Sequence, residues 1–137
     1  DYDVVFETIE SPLCLNTAPN GLICASPDYY LARNVNRIPL SAKLFANDSH
    51  CMVNLKSKTI AVVERDTGRC IRVDIADFPY TLIWSTPQEP MRFICVEPWH
   101  SIPSEDDGPI EWEKKPCAAS LAPGEVWQTA LNMTFER

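Results

Sequence analysis

The sequence predicts an all-β fold, a β-sandwich, from three observations. Short runs rich in Val, Ile, Phe, Tyr and Thr recur between turn signals. Twelve prolines spread along the chain leave little room for a long helix. The C-terminal stretch alternates apolar and polar residues with the period of two that marks a strand with one buried face. At 137 residues the chain fits one domain and can bury a core.

The elements follow in order. Residues 4–9 form the first strand. Residues 40–45 are the segment that reads as a helical turn. Residues 59–64 and 70–75 form a hairpin, because Gly68 in the connection can adopt the positive φ that a tight loop demands. Residues 80–84 and 91–96 are two further strands, and Pro98 is expected to stop the second, leaving Glu97 at a sheet end. Residues 101–109 form a polar loop with three acidic side chains, either the rim of a site or a solvated connector. Beyond Gly124 the last strand sets Trp127, Thr129, Leu131, Met133 and Phe135 on one face and Val126, Gln128, Ala130, Asn132 and Thr134 on the other, with one face expected to be buried.

A net charge of -7 and a pI near 4.7 argue against nucleic-acid or anionic-membrane partners, which need a clustered positive face. The basic pairs at Lys56/Lys58 and Lys114/Lys115 are too short to supply one. No apolar run approaches the roughly 20 residues that span a bilayer, and the N-terminus lacks a signal layout, so a soluble chain is expected. Opening on Asp1 inside a strand-like run, the chain reads as a piece of something longer. None of the six cysteines stands in a C-x-x-C pair and most sit in apolar runs, which predicts free, buried thiols in a reducing cytoplasm rather than disulfides or zinc. The sequons at Asn47 and Asn132 are then chance.

Among residues able to do chemistry, Glu97 follows an apolar strand, and Trp99 lies two residues on. In extended geometry the two face one side, a carboxylate beside a flat apolar surface that suits a sugar ring. A surface glutamate and a core tryptophan would give the same pattern. Asp48 lies in a turn-like stretch where aspartate also serves local backbone chemistry. His50 and His100 are lone histidines in polar segments, expected to be solvated rather than catalytic. Arg33 and Arg37 flank an Asn-rich loop, where they either hold an anion or only solubilise it. There is no phosphate-cradling glycine loop, no G-x-S-x-G elbow and no H-E-x-x-H helix, which removes nucleotide chemistry, serine hydrolysis and zinc proteolysis.

Four segments in order, Ile38-Pro-Leu-Ser with Leu44-Phe-Ala-Asn-Asp48, Asp77-Phe-Pro-Tyr-Thr-Leu-Ile-Trp84-Ser, Phe93-Ile-Cys-Val-Glu97-Pro-Trp99 and Leu121-Ala-Pro-Gly124-Glu, resemble the successive C-terminal signatures of the aldose 1-epimerase (mutarotase) family. The resemblance covers nearly the whole chain and is closest to the shorter, LacX-like bacterial branch. It implies that residues 1–137 are the C-terminal part of a β-supersandwich whose concave face binds a monosaccharide, an aldose or a hexose phosphate. It further implies Glu97 as the general base that takes the C1 hydroxyl proton, Asp48 as a carboxylate orienting the ring through a hydroxyl, and Trp99 as a pocket wall, with no metal or organic cofactor. In the family the acid is a histidine of the N-terminal half, which has no counterpart here. The resemblance therefore implies half of a site, and sheet edges exposed for association with another chain. The alternative readings are a non-catalytic carbohydrate-binding module that keeps the aromatic and acidic surface, and a structural or regulatory β-domain that binds no sugar.

Overall fold

A computed structural model describes residues 1–24, 28–109, 111–115 and 117–137. Twelve strands run in chain order: β1 (Tyr2–Glu10), β2 (Leu13–Leu15), β3 (Thr17–Ala18), β4 (Leu22–Ile23), β5 (Tyr29–Tyr30), β6 (Val35–Pro39), β7 (His50–Met52), β8 (Thr59–Glu64), β9 (Cys70–Asp74), β10 (Tyr80–Trp84), β11 (Cys95–Trp99) and β12 (Met133–Glu136). They form two antiparallel five-stranded sheets, β12-β9-β8-β1-β6 and β11-β10-β7-β2-β5, and a small β3-β4 ribbon. A 3-10 turn, Ala42–Phe45, sits where the sequence predicts a helical turn.

The pairing explains the core. Val4 lies between Ile38 and Val62, and Ile60 lies between Phe6 and Val73, so one face of the first sheet is continuously apolar. Cys14, Met52 and Ile83 of the second sheet, with Phe45 of the 3-10 turn, join the same buried cluster. Each such side chain contributes about 1.5–3 kcal/mol by leaving water. Two buried carboxylates on β1 are satisfied rather than free. Asp3 accepts from Arg37 and Arg65 at 2.7 and 2.8 Å, and Glu10 accepts from the Ser57 amide and hydroxyl at 2.6 and 2.7 Å.

The hairpin β8–β9 forms as predicted, with Gly68 at φ 73°. Two strand expectations need correction. The strand expected at 91–96 begins instead at Cys95 and continues through Pro98 to Trp99. Proline is tolerated because, among the described residues, β11 is an edge strand that pairs on one side, with β10. Residues 91–94 spend their apolar character on packing: Met91 and Ile94 abut the core, Phe93 meets Trp84 at 5.6 Å, and the buried Ser85 hydroxyl donates to the Phe93 carbonyl at 2.7 Å.

The C-terminal strand is the second correction. Only Met133–Glu136 is strand, paired to β9, and neither face of the preceding stretch is buried. Val126, Trp127 and Phe135 are 80%, 54% and 73% exposed. The alternating pattern encodes a strand that can bury one side, but β12 is a sheet edge and no described residue covers it. Among the described residues, no helix is long and apolar enough to cross a membrane.

Candidate functional site

Register decides which side chains share a face. Glu97 pairs with Leu82, and Leu82 pairs with Cys51 on β7. Directly paired residues point to the same side of a sheet. Glu97, Leu82 and Cys51 therefore form one row, and Trp99 paired with Tyr80 forms the next row on that face. The opposite face carries Val96, Ile83, Met52 and His50, toward the core. Glu97 is thus held in mid-strand, on the face of an edge strand opposite the main core cluster, not at a sheet end. It stays half-buried beside Trp99, on the same side as expected.

Cys95 lies two residues before Glu97 on the same face, and its thiol pKa is pushed up by burial and then by the Glu97 carboxylate. Trp99 borders an open cavity of about 540 Å³ with Pro98, His100, Ser101, Ile102, Pro103 and Lys115. Residues 101–103, the start of the loop that follows β11, therefore form part of the rim of this cavity. It is tied to β4, because Ile23 donates to the Ser104 carbonyl at 3.0 Å and the Asp106 amide donates back to Ile23 at 2.8 Å.

Asp48 stands apart from this pair. It is exposed, at φ 81°, in the turn between Ala42–Phe45 and β7. Its amide donates to the Phe45 carbonyl at 3.1 Å, and its Oδ1 accepts from the Ser49 amide at 2.7 Å. Local backbone chemistry therefore takes one carboxylate oxygen, and the other has no protein partner among the described residues. Two strand spacings and about three residues of rise separate Asp48 from Glu97, on the order of 10–15 Å between backbones. No one cavity among those described contains Glu97, Asp48 and Trp99 together.

The histidines depart from expectation. His50 is buried rather than solvated. Its Nε2 lies 2.6 Å from the Leu44 carbonyl, which can only accept, so the proton sits on Nε2. Nδ1 then accepts from the Tyr29 hydroxyl, also at 2.6 Å. Burial is the main cause holding the His50 pKa below its ordinary 6.5, partly opposed by the Leu44 contact and Asp48. His100 bonds Thr129 Oγ1 at 2.9 Å and lies between the rings of Phe78 and Trp127, pinning the C-terminal arm. Sequence reasoning missed His50 and Tyr29 because the strands that carry them are two and three residues long. The apolar run Cys51-Met52-Val53 directly after His50 was the available signal.

A stability consequence follows for His50. Its folded pKa is depressed, so between that value and 6.5 the unfolded chain binds more protons than the folded one. Stability is full above 6.5 and falls as pH drops through the folded value. Chemical denaturation from pH 7.5 to 5 is expected to show a stability loss that His50→Phe abolishes.

Arg33 and Arg37 do not form a ready anion clamp: Arg37 is ion-paired to Asp3, and Arg33 stacks 3.7 Å over the Tyr30 ring. All six cysteines are free. Cys14, Cys51 and Cys70 are buried as expected, Cys24 and Cys95 are half-buried, and Cys117 is exposed on a positive-φ turn within 2.8 Å of the Tyr80 hydroxyl. Burial pushes the thiols of Cys14 and Cys51 up to about 12 and about 11, which leaves them protonated and inert.

No family model matches the sequence. The plasmid and chromosomal forms of protein LacX of Lactococcus lactis subsp. lactis are each 29% identical over 137 residues, covering 98% of this chain and 45% of theirs. The chain thus spans a little under half the length of the curated relatives it matches. Among solved structures, a galactose mutarotase-like protein from Lactobacillus casei ATCC 334 superposes with a TM-score of 0.82 at 27% identity, over 99% of this chain and 47% of that one. A galactose mutarotase related enzyme from Lactobacillus acidophilus superposes with a TM-score of 0.87 at 21% identity, over 99% and 45%, a likeness of fold alone. In sequence and in fold, then, the chain is similar to a part of LacX and of galactose mutarotase-like proteins.

Proposed function

We propose that residues 1–137 are the C-terminal, base-bearing part of an aldose 1-epimerase-like domain that interconverts the α and β anomers of a monosaccharide. Glu97 is the general base: it takes the proton of the C1 hydroxyl while an acid protonates the ring oxygen, and the ring opens to the aldehyde. Rotation about C1–C2 and closure on the other face give the second anomer, and the proton returns from the carboxylate. Trp99 supplies a flat apolar wall, and Asp48 orients the ring through a hydroxyl. The observation that supports this reading is Glu97 held half-buried in mid-strand on the same face as Trp99, a residue that itself borders an open cavity. The protein works in the reducing cytoplasm, a reading supported by its free thiols.

Neither histidine of this chain suits the acid. His50 lies on the opposite sheet face with both ring nitrogens engaged, and His100 is held by Thr129 and Trp127. The acid therefore comes from the part of the mutarotase-like fold that this chain does not span. The same observation favours a second reading, a carbohydrate-binding module without catalysis. Polarimetry separates the two. Freshly dissolved α-glucose and α-galactose are followed with residues 1–137 alone and with a version that carries the rest of the fold. Acceleration by the longer version only supports the epimerase. Sugar binding with buffer-rate anomerisation in both supports the module.

The uncovered apolar side chains of the C-terminal arm and the free edge of β12 supply a surface for another chain or another part of the same one. Residues 1–137 alone are expected to elute from size-exclusion chromatography as associated species. A sharp monomer peak with cooperative unfolding would count against that expectation.

A further inference from the structure

We propose that His50 is the positioning residue for Asp48: it sets the backbone turn that presents the Asp48 carboxylate, although its own ring never reaches the sugar. The assignment rests on Asp48 being the sugar-orienting carboxylate of the proposed site. Asp48 holds a φ of 81°, a conformation that costs a non-glycine residue free energy unless its surroundings impose it. What imposes it is the turn before it, because the Asp48 amide donates to the Phe45 carbonyl at 3.1 Å. That turn is clamped by His50. The Nε2–H donates to the Leu44 carbonyl at 2.6 Å, and the ring also lies against Phe45, with centroids 5.7 Å apart.

The clamp has an anchor at its other end. Nδ1 accepts from the Tyr29 hydroxyl at 2.6 Å, so the ring bridges β5 to the turn and holds a single tautomer. Tyr29, Leu44 and His50 line a small polar cavity of about 260 Å³ with Thr17, Lys43 and Asn47, the residue before Asp48. Thr17 Oγ1 donates to the Asn47 carbonyl at 3.2 Å, a second tie on the same turn one residue before Asp48. A buried histidine with both nitrogens engaged, two residues from an exposed carboxylate at positive φ, is the arrangement expected of a residue that acts through another.

Two readouts test it. The first needs no sugar. In the full chain, ¹⁵N-labelled His50 should show a protonated Nε2 and an accepting Nδ1, and His50→Phe and Tyr29→Phe should each shift the Asp48 and Ser49 amide resonances and speed their hydrogen exchange. Unmoved Asp48 and Ser49 amides in the folded variants overturn the proposal. Tyr29→Phe removes one hydroxyl, so it keeps the test decisive if His50→Phe does not fold. The second readout is galactose and glucose affinity by tryptophan fluorescence in a double-mutant cycle with Asp48→Asn. His50→Phe should weaken binding about tenfold with Asp48 present and not at all in the Asp48→Asn background. His50→Gln, which keeps an N–H for the Leu44 carbonyl, should restore part of the loss. Equal weakening in both backgrounds overturns the proposal. An absence of sugar binding by the unaltered chain instead counts against the carbohydrate reading and leaves the amide test to decide the role of His50.

Discussion

Glu97→Gln, introduced into the version that carries the rest of the fold, is expected to lower the mutarotation rate on the order of 10²–10⁴-fold, the range that a positioned general base contributes. Glutamine keeps the size and hydrogen-bonding reach of the side chain but cannot accept a proton to form a neutral acid. The loss should therefore fall on turnover rather than on sugar affinity. Polarimetry over a range of sugar concentrations checks the split, with KM near unchanged and kcat reduced. The fold should be indifferent, because Glu97 makes no ion pair among the described residues and sits half-buried on an edge strand. Its thermal midpoint is expected to stay within what about 0.5 kcal/mol produces. A kcat within threefold of the unaltered protein, on the order of 0.6 kcal/mol in barrier height, would remove Glu97 from the role of base.

Phe45→Ala is expected to give the largest stability loss, about 3–5 kcal/mol. The ring is fully buried in the cluster shared by both sheets and lies against the His50 ring. Truncation leaves a cavity bounded by side chains from several strands, none of which can collapse into it without leaving its own register. Against a total stability of about 5–15 kcal/mol, such a loss brings the chain near unfolding at physiological temperature. Urea denaturation should show a lower midpoint with an unchanged slope. Because the Phe45 carbonyl accepts from the Asp48 amide, the variant should also loosen the Asp48 turn, visible as faster amide exchange there before global unfolding. A loss below about 1.5 kcal/mol would mean that the site relaxes far more than the packing suggests.

Local signals made some of the molecule legible. Strands Thr59–Glu64 and Tyr80–Trp84 stand where their β-branched and aromatic runs place them, and the hairpin between β8 and β9 follows from Gly68. The association of Glu97 with Trp99 was legible too, because any extended backbone puts residues two apart on one side. The strands of two or three residues, β2, β5 and β7, carry too few positions for a period to register, and with β7 went the burial of His50. The end of β11 was misplaced because proline reads as a strand stop, while an edge strand has a side on which the missing N–H costs nothing.

By itself the sequence determined the all-β class, the hairpin, and the pairing of a carboxylate with an aromatic face. Each depends on backbone preferences or side-chain alternation within a few residues. Only the tertiary structure decided that Glu97 lies on the sheet face opposite the main core cluster, that His50 is locked between Leu44 and Tyr29, and that the C-terminal apolar stripe stays uncovered among the described residues. Those outcomes depend on which strands become neighbours across large sequence separations and on what covers each face, and a period of two is the same whether the face it marks is covered or bare.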